Sequence, residues 1–338
     1  MEMALMAASM LERSWEEMLD SAKRHDIRLI EACAGGHIPK VHYDPIHLAS
    51  DPVALEAFQR SVEDRGQKIC SFSCHGNPLH PNPAIARSAH QDFVTTCQIA
   101  SHLGVRNISL LAGTPGGGPE DKTPNWIIHS SWPMFENAYR WQWEERIIPY
   151  WKDAAKIADQ YAVKLCIEPH TGDAVYNTQT FLRLREAVGP TIGMNFDPSH
   201  LWWQGIDPIV LVETAGKAIY SVHVKDVLVD RRLLERDGIA SSAAYDDWNS
   251  RPWKYCTLGY GHSELFWRDL IIALRRVGYD GPLSIECEEP YLTVDDSLAK
   301  SVQLLENVMP MSPPPTANWM VAYQLDDYDR KLSGTAKQ

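Results

Sequence analysis

Eight short apolar runs alternate along the chain with eight stretches of helical periodicity, and no other feature restricts the fold as tightly. The runs cover residues 3–8, 28–34, 68–73, 105–111, 163–167, 192–196, 219–224 and 283–286. Most are apolar on both faces, as strands covered on both sides of a parallel sheet are. Between and after them, residues 14–24, 52–65, 83–103, 136–161, 178–188, 208–216, 263–277 and 294–308 carry apolar side chains at helical spacing. No linker-like break interrupts the alternation. The pattern predicts one (β/α)8 TIM barrel over residues 1–309, with a doubly wound sheet as the alternative. A C-terminal extension, residues 310–338, opens with prolines and carries Trp319, Met320 and Tyr323. It is expected to run along the surface or reach a partner.

The 338 residues, 44% of them hydrophobic, are enough to bury a barrel-sized core. The formal net charge of -12 argues against nucleic acid or an anionic membrane as the main partner, because phosphate binding needs a basic face. Seven cysteines, mostly inside apolar runs and without a CxxC pair, read as reduced core thiols of a cytoplasmic protein. The first residues, with Glu2 where a secretory signal has basic residues, do not read as a leader. No run approaches the roughly 18 apolar residues of a membrane span.

Two segments are too long and irregular for simple connections. Residues 113–135 are rich in Gly and Pro and hold Asn125, Trp126 and Trp132; residues 227–261 are polar with embedded Trp and Tyr. Loops of this length are usually functional. The GGG run at 116–118 is not a phosphate loop, since no Gly-Lys-Ser/Thr follows it.

In a barrel, the C-terminal ends of the strands face the active site. The last four strand-like runs end on Glu168, Asp197, His223 and Glu286. Taken singly, each has a plain structural explanation: a loop anion, a turn cap, a hydrogen-bonded core histidine, a carboxylate paired with arginine. Together they place three acids and an imidazole around one point, a ligand set for a single divalent ion such as Mn, Mg, Co, Zn or Fe. Such an ion acidifies a carbon next to a carbonyl and stabilises the enediolate left behind. Glu168, Glu286 and His170 are the candidate bases. Returning the proton gives epimerisation or isomerisation, and expelling a neighbouring group gives elimination.

The segments Ile167-Glu-Pro-His170, Asn195-Phe-Asp-Pro-Ser-His200, Ser221-Val-His-Val-Lys-Asp226, Gly259-Tyr-Gly-His262 and Leu283-Ser-Ile-Glu-Cys-Glu288 resemble those of the sugar phosphate isomerase/epimerase family, the xylose-isomerase-like TIM barrels. The resemblance spans residues 3–308. It implies a divalent metal, foremost Mn2+, at Glu168, Asp197, His223 and Glu286, the two glutamates as acid/base groups, and substrate contact by His200. The chain also resembles the larger, catalytic subunit of the C-glycoside deglycosidases, metal-dependent lyases of 3-oxo-glycosides. There a histidine two residues after the first metal-binding glutamate is the base, as His170 follows Glu168 here. That likeness implies assembly with a small partner subunit, the family at large a homo-oligomer. Asn77, Trp126, Lys225, His262, His75 and the pair Arg231 and Arg232 are further candidates for substrate contact. The aromatic loops and the lack of a phosphate cradle favour a non-phosphorylated sugar or 3-oxo-sugar derivative as the small-molecule substrate. An abasic-site endonuclease shares the barrel type but needs three metals and a basic groove. A non-catalytic scaffold is the remaining alternative.

Overall fold

The computed structural model describes residues 1–129 and 131–309, so the C-terminal extension with Trp319, Met320 and Tyr323 lies outside the described residues. Among the described residues, ten strands follow one another: β1 (Glu2–Met6), β2 (Leu29–Gly36), β3 (Lys68–His75), β4 (Asn107–Leu111), β5 (Lys164–Glu168), β6 (Ile192–Phe196), β7 (Ile219–Val224), β8 (Asp226–Val229), β9 (Trp253–Cys256) and β10 (Pro282–Ile285). Strands β1 to β7 and β10 pair in parallel and close into a barrel, with Leu5 of β1 opposite Ile285 of β10. Helices connect them, as the (β/α)8 pattern requires.

Local chemistry explains where the elements begin. Ser14 opens the helix Trp15–Arg24 with a capping box, its hydroxyl accepting from the Glu17 N–H while the Glu17 carboxylate accepts from the Ser14 N–H. Asn82, Asn177, Asp207 and Thr293 cap later helices, each with a side-chain oxygen that accepts a first-turn N–H. The outer ring is fastened by wholly buried aromatics, among them Trp143, Trp151 and Trp267. Trp151 also donates its indole N–H to the Ala112 carbonyl at 3.0 Å, tying a helix to the end of β4.

Three segments depart from the sequence-based expectation. The first strand stops at Met6, and Ala7–Met10 turn as a 3-10 helix. This places the Ser9 hydroxyl to accept the Cys287 N–H at 2.9 Å, joining the chain start to the end of β10. The single helix predicted at 136–161 is instead Pro133–Trp141, a π-helical turn at Gln142–Ile147, and Ile148–Gln160. Pro149 supplies the cause: it has no N–H for the carbonyl four residues back, and the wider turn accommodates its ring. The excursion at 227–261 contains an antiparallel hairpin, β8 with β9, and the helix Arg231–Asp237.

One glycine is fixed by the barrel itself. Gly36 has φ of +79°, and a Cβ there would lie 2.2 Å from the His75 carbonyl oxygen, so only glycine lets β2 and β3 run this close at the rim. Among the described residues, no helix is long and apolar enough to cross a membrane.

Candidate metal centre

The four predicted strand ends converge. Glu168 closes β5, Asp197 follows β6, His223 lies in β7 and Glu286 follows β10. His223 Nδ1 is 3.3 Å from Glu168 Oε2 and 3.1 Å from Glu286 Oε2. Lys225 Nζ stands 3.2 Å from Asp197 Oδ2, 3.0 Å from Glu286 Oε2 and 3.2 Å from Glu288 Oε1. Nε2 of His200 lies 3.1 Å from Glu168 Oε1 and 3.2 Å from Asp197 Oδ2. Ligand atoms of Glu168, Asp197 and His223 all fall within 4.8 Å of one another, and so do those of Glu168, His170 and His200.

Five buried atoms around this point, His75 Nε2, Asp197 Oδ2, His200 Nε2, His223 Nδ1 and Glu286 Oε2, take part in no well-formed hydrogen bond. Each meets an ionisable partner at 3.0–3.6 Å instead, and buried polar atoms without full hydrogen bonds are costly one at a time. Here they share a centre. The same space holds the carboxylates of Glu31, Glu168, Asp197 and Glu286, with the partly exposed Glu288 beside them, against a single lysine, Lys225. A surplus of buried negative charge with oxygen and nitrogen lone pairs left over fits a divalent cation. Those residues form a candidate metal site.

The remaining imidazole chemistry is set by neighbours. His223 Nε2 is 3.1 Å from both carboxylate oxygens of Glu31, a wholly buried acid in the middle of β2. That contact reserves Nε2–H for Glu31 and turns Nδ1 toward the acids, the role of an outer carboxylate behind a ligand histidine. Asn195 donates to Glu168 Oε2 at 2.6 Å, and the Ser199 N–H donates to Asp197 Oδ1 at 2.8 Å, so each acid is aimed from behind. The Tyr255 hydroxyl lies 2.9 Å from His200 Nδ1.

Electrostatics follow from that crowding. Burial opposes charge on His200, yet Asp197 and Glu168 raise it to about 9. Burial likewise disfavours charged His223, and Glu31, Glu286 and Glu168 outweigh it, lifting the imidazole well above its usual range. Glu168 and Glu286 are pushed up by burial but pulled below the ordinary carboxylate range by the cations facing them. Without metal, protons on the imidazoles do part of the compensating. By contrast, burial pushes the thiols of Cys33, Cys70, Cys74 and Cys287 up to about 12, which leaves them inert at neutral pH.

A cavity of about 540 Å3 opens over the centre, with Glu168, His170, His200, Lys225, Glu286 and His75 on its wall. His170 is half-buried, its ring 4.1 Å from that of His200, and its Nδ1 is held by the Thr171 carbonyl at 2.7 Å. Asn77, Trp126 and His262 do not line this cavity. Asn77 is spent on its own loops, donating to the Thr114 carbonyl and accepting from the Leu79 and Thr114 N–H groups. His262 pairs with Asp226 at 2.7 Å and stacks on Trp202 at 3.8 Å. Trp126 faces a neighbouring cleft, and Arg231 and Arg232 open an exposed helix of the excursion.

Glu31, Asn195, Glu288, Tyr245 and Tyr255 were not singled out from sequence. Glu31 carried a signal, a lone charge in an otherwise apolar strand, and so did Asn195 in Gly193-Met-Asn-Phe. Tyr245, on the cavity wall, and Tyr255, buried against His200, come from the hairpin excursion and gave none.

Fold and site together define a TIM barrel built around a candidate buried metal centre at its C-terminal rim. The chain belongs to the xylose isomerase-like TIM barrel family, which it matches over residues 19–308. YfiH of Bacillus subtilis strain 168, described as an uncharacterized protein, is 34% identical over 313 residues, 91% of this chain and 99% of the relative. The inosose dehydratase of Clostridium tetani is 32% identical over 106 residues, 29% of this chain and 34% of that one. Among solved structures, the IolI protein with a bound zinc atom superposes with a TM-score of 0.63 at 17% identity, covering 92% of this chain and all of the other.

Proposed function

We propose that the protein is a divalent-metal-dependent enzyme that removes a proton next to the carbonyl of a sugar or 3-oxo-sugar derivative, as an isomerase or epimerase. The observation that carries this reading is the convergence of Glu168, Asp197, His223 and Glu286 on one buried point, with ligand atoms of Glu168, Asp197 and His223 within 4.8 Å of one another. Glu168, Asp197, His223 and Glu286 would hold the metal. When bound, a divalent ion there supplies positive charge that makes the carbon next to a carbonyl acidic and steadies the negative charge left on oxygen.

The chain's own residues do the rest. Glu168 Oε2 and Glu286 Oε2 lie 3.3 and 3.1 Å from His223 Nδ1, and both residues line the cavity over the centre, so a ring bound there would meet two carboxylates. One takes the proton and the other returns it. Lys225 and His200 are placed to donate to substrate oxygens. Lys225 is the only lysine or arginine on the described cavity wall and is already among three carboxylates, which supports a substrate without phosphate.

A second reading, elimination, rests on His170. Its Nδ1 is engaged by a carbonyl, so the ring is held with Nε2 as the proton acceptor at the cavity wall. A base on that side could strip a proton while a neighbouring group departs, the type of reaction named by the dehydratase among the relatives.

Incubating the metal-loaded protein in deuterated water with a panel of ketoses and 3-oxo-glycosides separates the outcomes. Solvent label in a recovered epimer or isomer fits the first reading; a freed aglycone or a dehydrated product fits the second. No label and no product from any member would contradict both.

A further inference from the structure

Tyr255 lies behind the metal pocket and lines no part of its cavity, yet it touches two side chains that do. Its hydroxyl meets His200 Nδ1 at 2.9 Å, and Lys225 Nζ lies 4.5 Å from the centre of its ring. The residue is 5% exposed, and among the described residues its hydroxyl has no other hydrogen-bond partner. His200 and Lys225 in turn converge on one atom, Asp197 Oδ2, each at 3.2 Å. A single phenol therefore backs both side chains that are placed to donate to substrate oxygens.

The hairpin excursion fixes where that phenol stands. Lys225 directly precedes β8, and Tyr255 of β9 pairs with Val227 of β8, so the ladder sets the reach from one to the other. Both ends of β9 are anchored. At its start Trp253 stacks on Trp203 at 4.5 Å with 6° between the planes, and Trp203 lies on the turn after β6 that also carries His200. Beyond its end the Asp226 carboxylate accepts the N–H groups of Gly259, Gly261 and His262 at 3.0, 3.1 and 3.0 Å. A side chain locked in this way can hold its neighbours in one geometry before any ligand arrives.

We infer that Tyr255 is a positioning residue: its hydroxyl fixes His200 with Nε2–H toward the cavity, and its ring face holds Lys225 beside it. The inference rests on the proposed reading for what those two donors bind. In a neutral imidazole one nitrogen donates and the other accepts, so a phenol that donates to Nδ1 leaves the hydrogen on Nε2. In a charged ring both nitrogens carry hydrogen, and the phenol oxygen accepts from Nδ1 instead. Either way Nε2 faces the cavity as a donor. Glu168 and Asp197 also meet Nε2, at 3.1 and 3.2 Å, but they are among the residues that would hold the metal. Among the described residues, Tyr255 is the side-chain hydrogen-bond partner of His200 outside that set. The positive head of Lys225 over the phenol face gains from the ring's negative π cloud.

The test uses the full chain carrying Tyr255→Phe, which keeps the ring and loses the hydroxyl, and Tyr255→Leu, which loses both. Far-UV circular dichroism and Mn2+ affinity should match the wild type in Tyr255→Phe. Long-range proton–nitrogen NMR then reads His200 without turnover, with Zn2+ loaded because it leaves the resonances observable. We expect Nε2 to carry hydrogen throughout in the wild type and a population with bare Nε2 in Tyr255→Phe. On the sugar that exchanges solvent deuterium, Tyr255→Phe should lower kcat/KM about 10- to 100-fold, the usual effect of misplacing a reacting group. It should add nothing once His200→Asn is present, because a residue that acts through another has no effect in its absence. Tyr255→Leu should also raise KM, since Lys225 then loses its ring. A fully protonated Nε2 in Tyr255→Phe, or equal losses with and without His200→Asn, would overturn the inference and leave Tyr255 a packing residue. A bare Nε2 in Tyr255→Phe of a protein that turns over no sugar would keep His200 held by Tyr255 and remove the sugar reading instead.

Discussion

At the scale of single residues, the centre depends on acids that point inward because something behind them holds them there. Glu31 is the sharpest case, since it touches no cavity and acts only through His223. Glu31→Gln should weaken metal affinity about 10- to 100-fold, the usual effect of losing an outer carboxylate, as read by competition with a fluorescent chelator. Unchanged affinity would mean that His223 needs no such support. Glu168→Gln and Glu286→Gln should each lower turnover by about 10²- to 10⁴-fold, measured on whichever sugar exchanges solvent deuterium. His170→Ala discriminates the two chemistries: a fall in kcat at constant metal content marks His170 as the base, and unchanged turnover leaves the two glutamates to act alone. The four ligand candidates were legible in sequence because each ends an apolar run. Glu31 showed only as a lone charge in an apolar strand, a signal that gains a role once the strand's inner face is known.

Among the elements, the π turn at Gln142–Ile147 does more than accommodate Pro149. It buries Gln142, whose amide donates to the carbonyls of Gly116 at 3.0 Å and Asn125 at 2.7 Å, pinning the long loop after β4. Gln142→Ala leaves those carbonyls short of a donor and should cost about 1–3 kcal/mol, seen as a lower urea midpoint. A midpoint unchanged within error would show that the loop holds itself. All eight barrel strands could be placed from apolar runs, and most helices from periodicity and caps such as Ser14. The hairpin could not. Its strands, Asp226-Val-Leu-Val and Trp253-Lys-Tyr-Cys, are four residues each and separated by 23 residues, so no local turn signal pairs them. The same separation hid Tyr245, on the cavity wall, and Tyr255, buried against His200.

Considered whole, the molecule is a stable barrel holding a locally unfavourable cluster, and protons or metal must balance it. In the metal-free protein His200 is raised from 6.5 to about 9, so its contribution to stability is complete below pH 6.5 and is lost as pH rises through 9. The metal-free Tm should therefore fall across that window, as scanning calorimetry can follow. Metal competes with those protons, so its affinity should rise with pH over the same range. At a hundredfold excess over Kd, bound metal should add about 2.7 kcal/mol of stability. A metal-free protein whose Tm climbs from pH 6.5 to 9 would contradict this balance. The measurement that bears most directly on the central claim is calorimetric titration of the chelator-treated protein with Mn2+. One site per chain, with proton release and with binding abolished in Asp197→Asn and His223→Ala, is the predicted result. No binding, or binding that survives both substitutions, would contradict it.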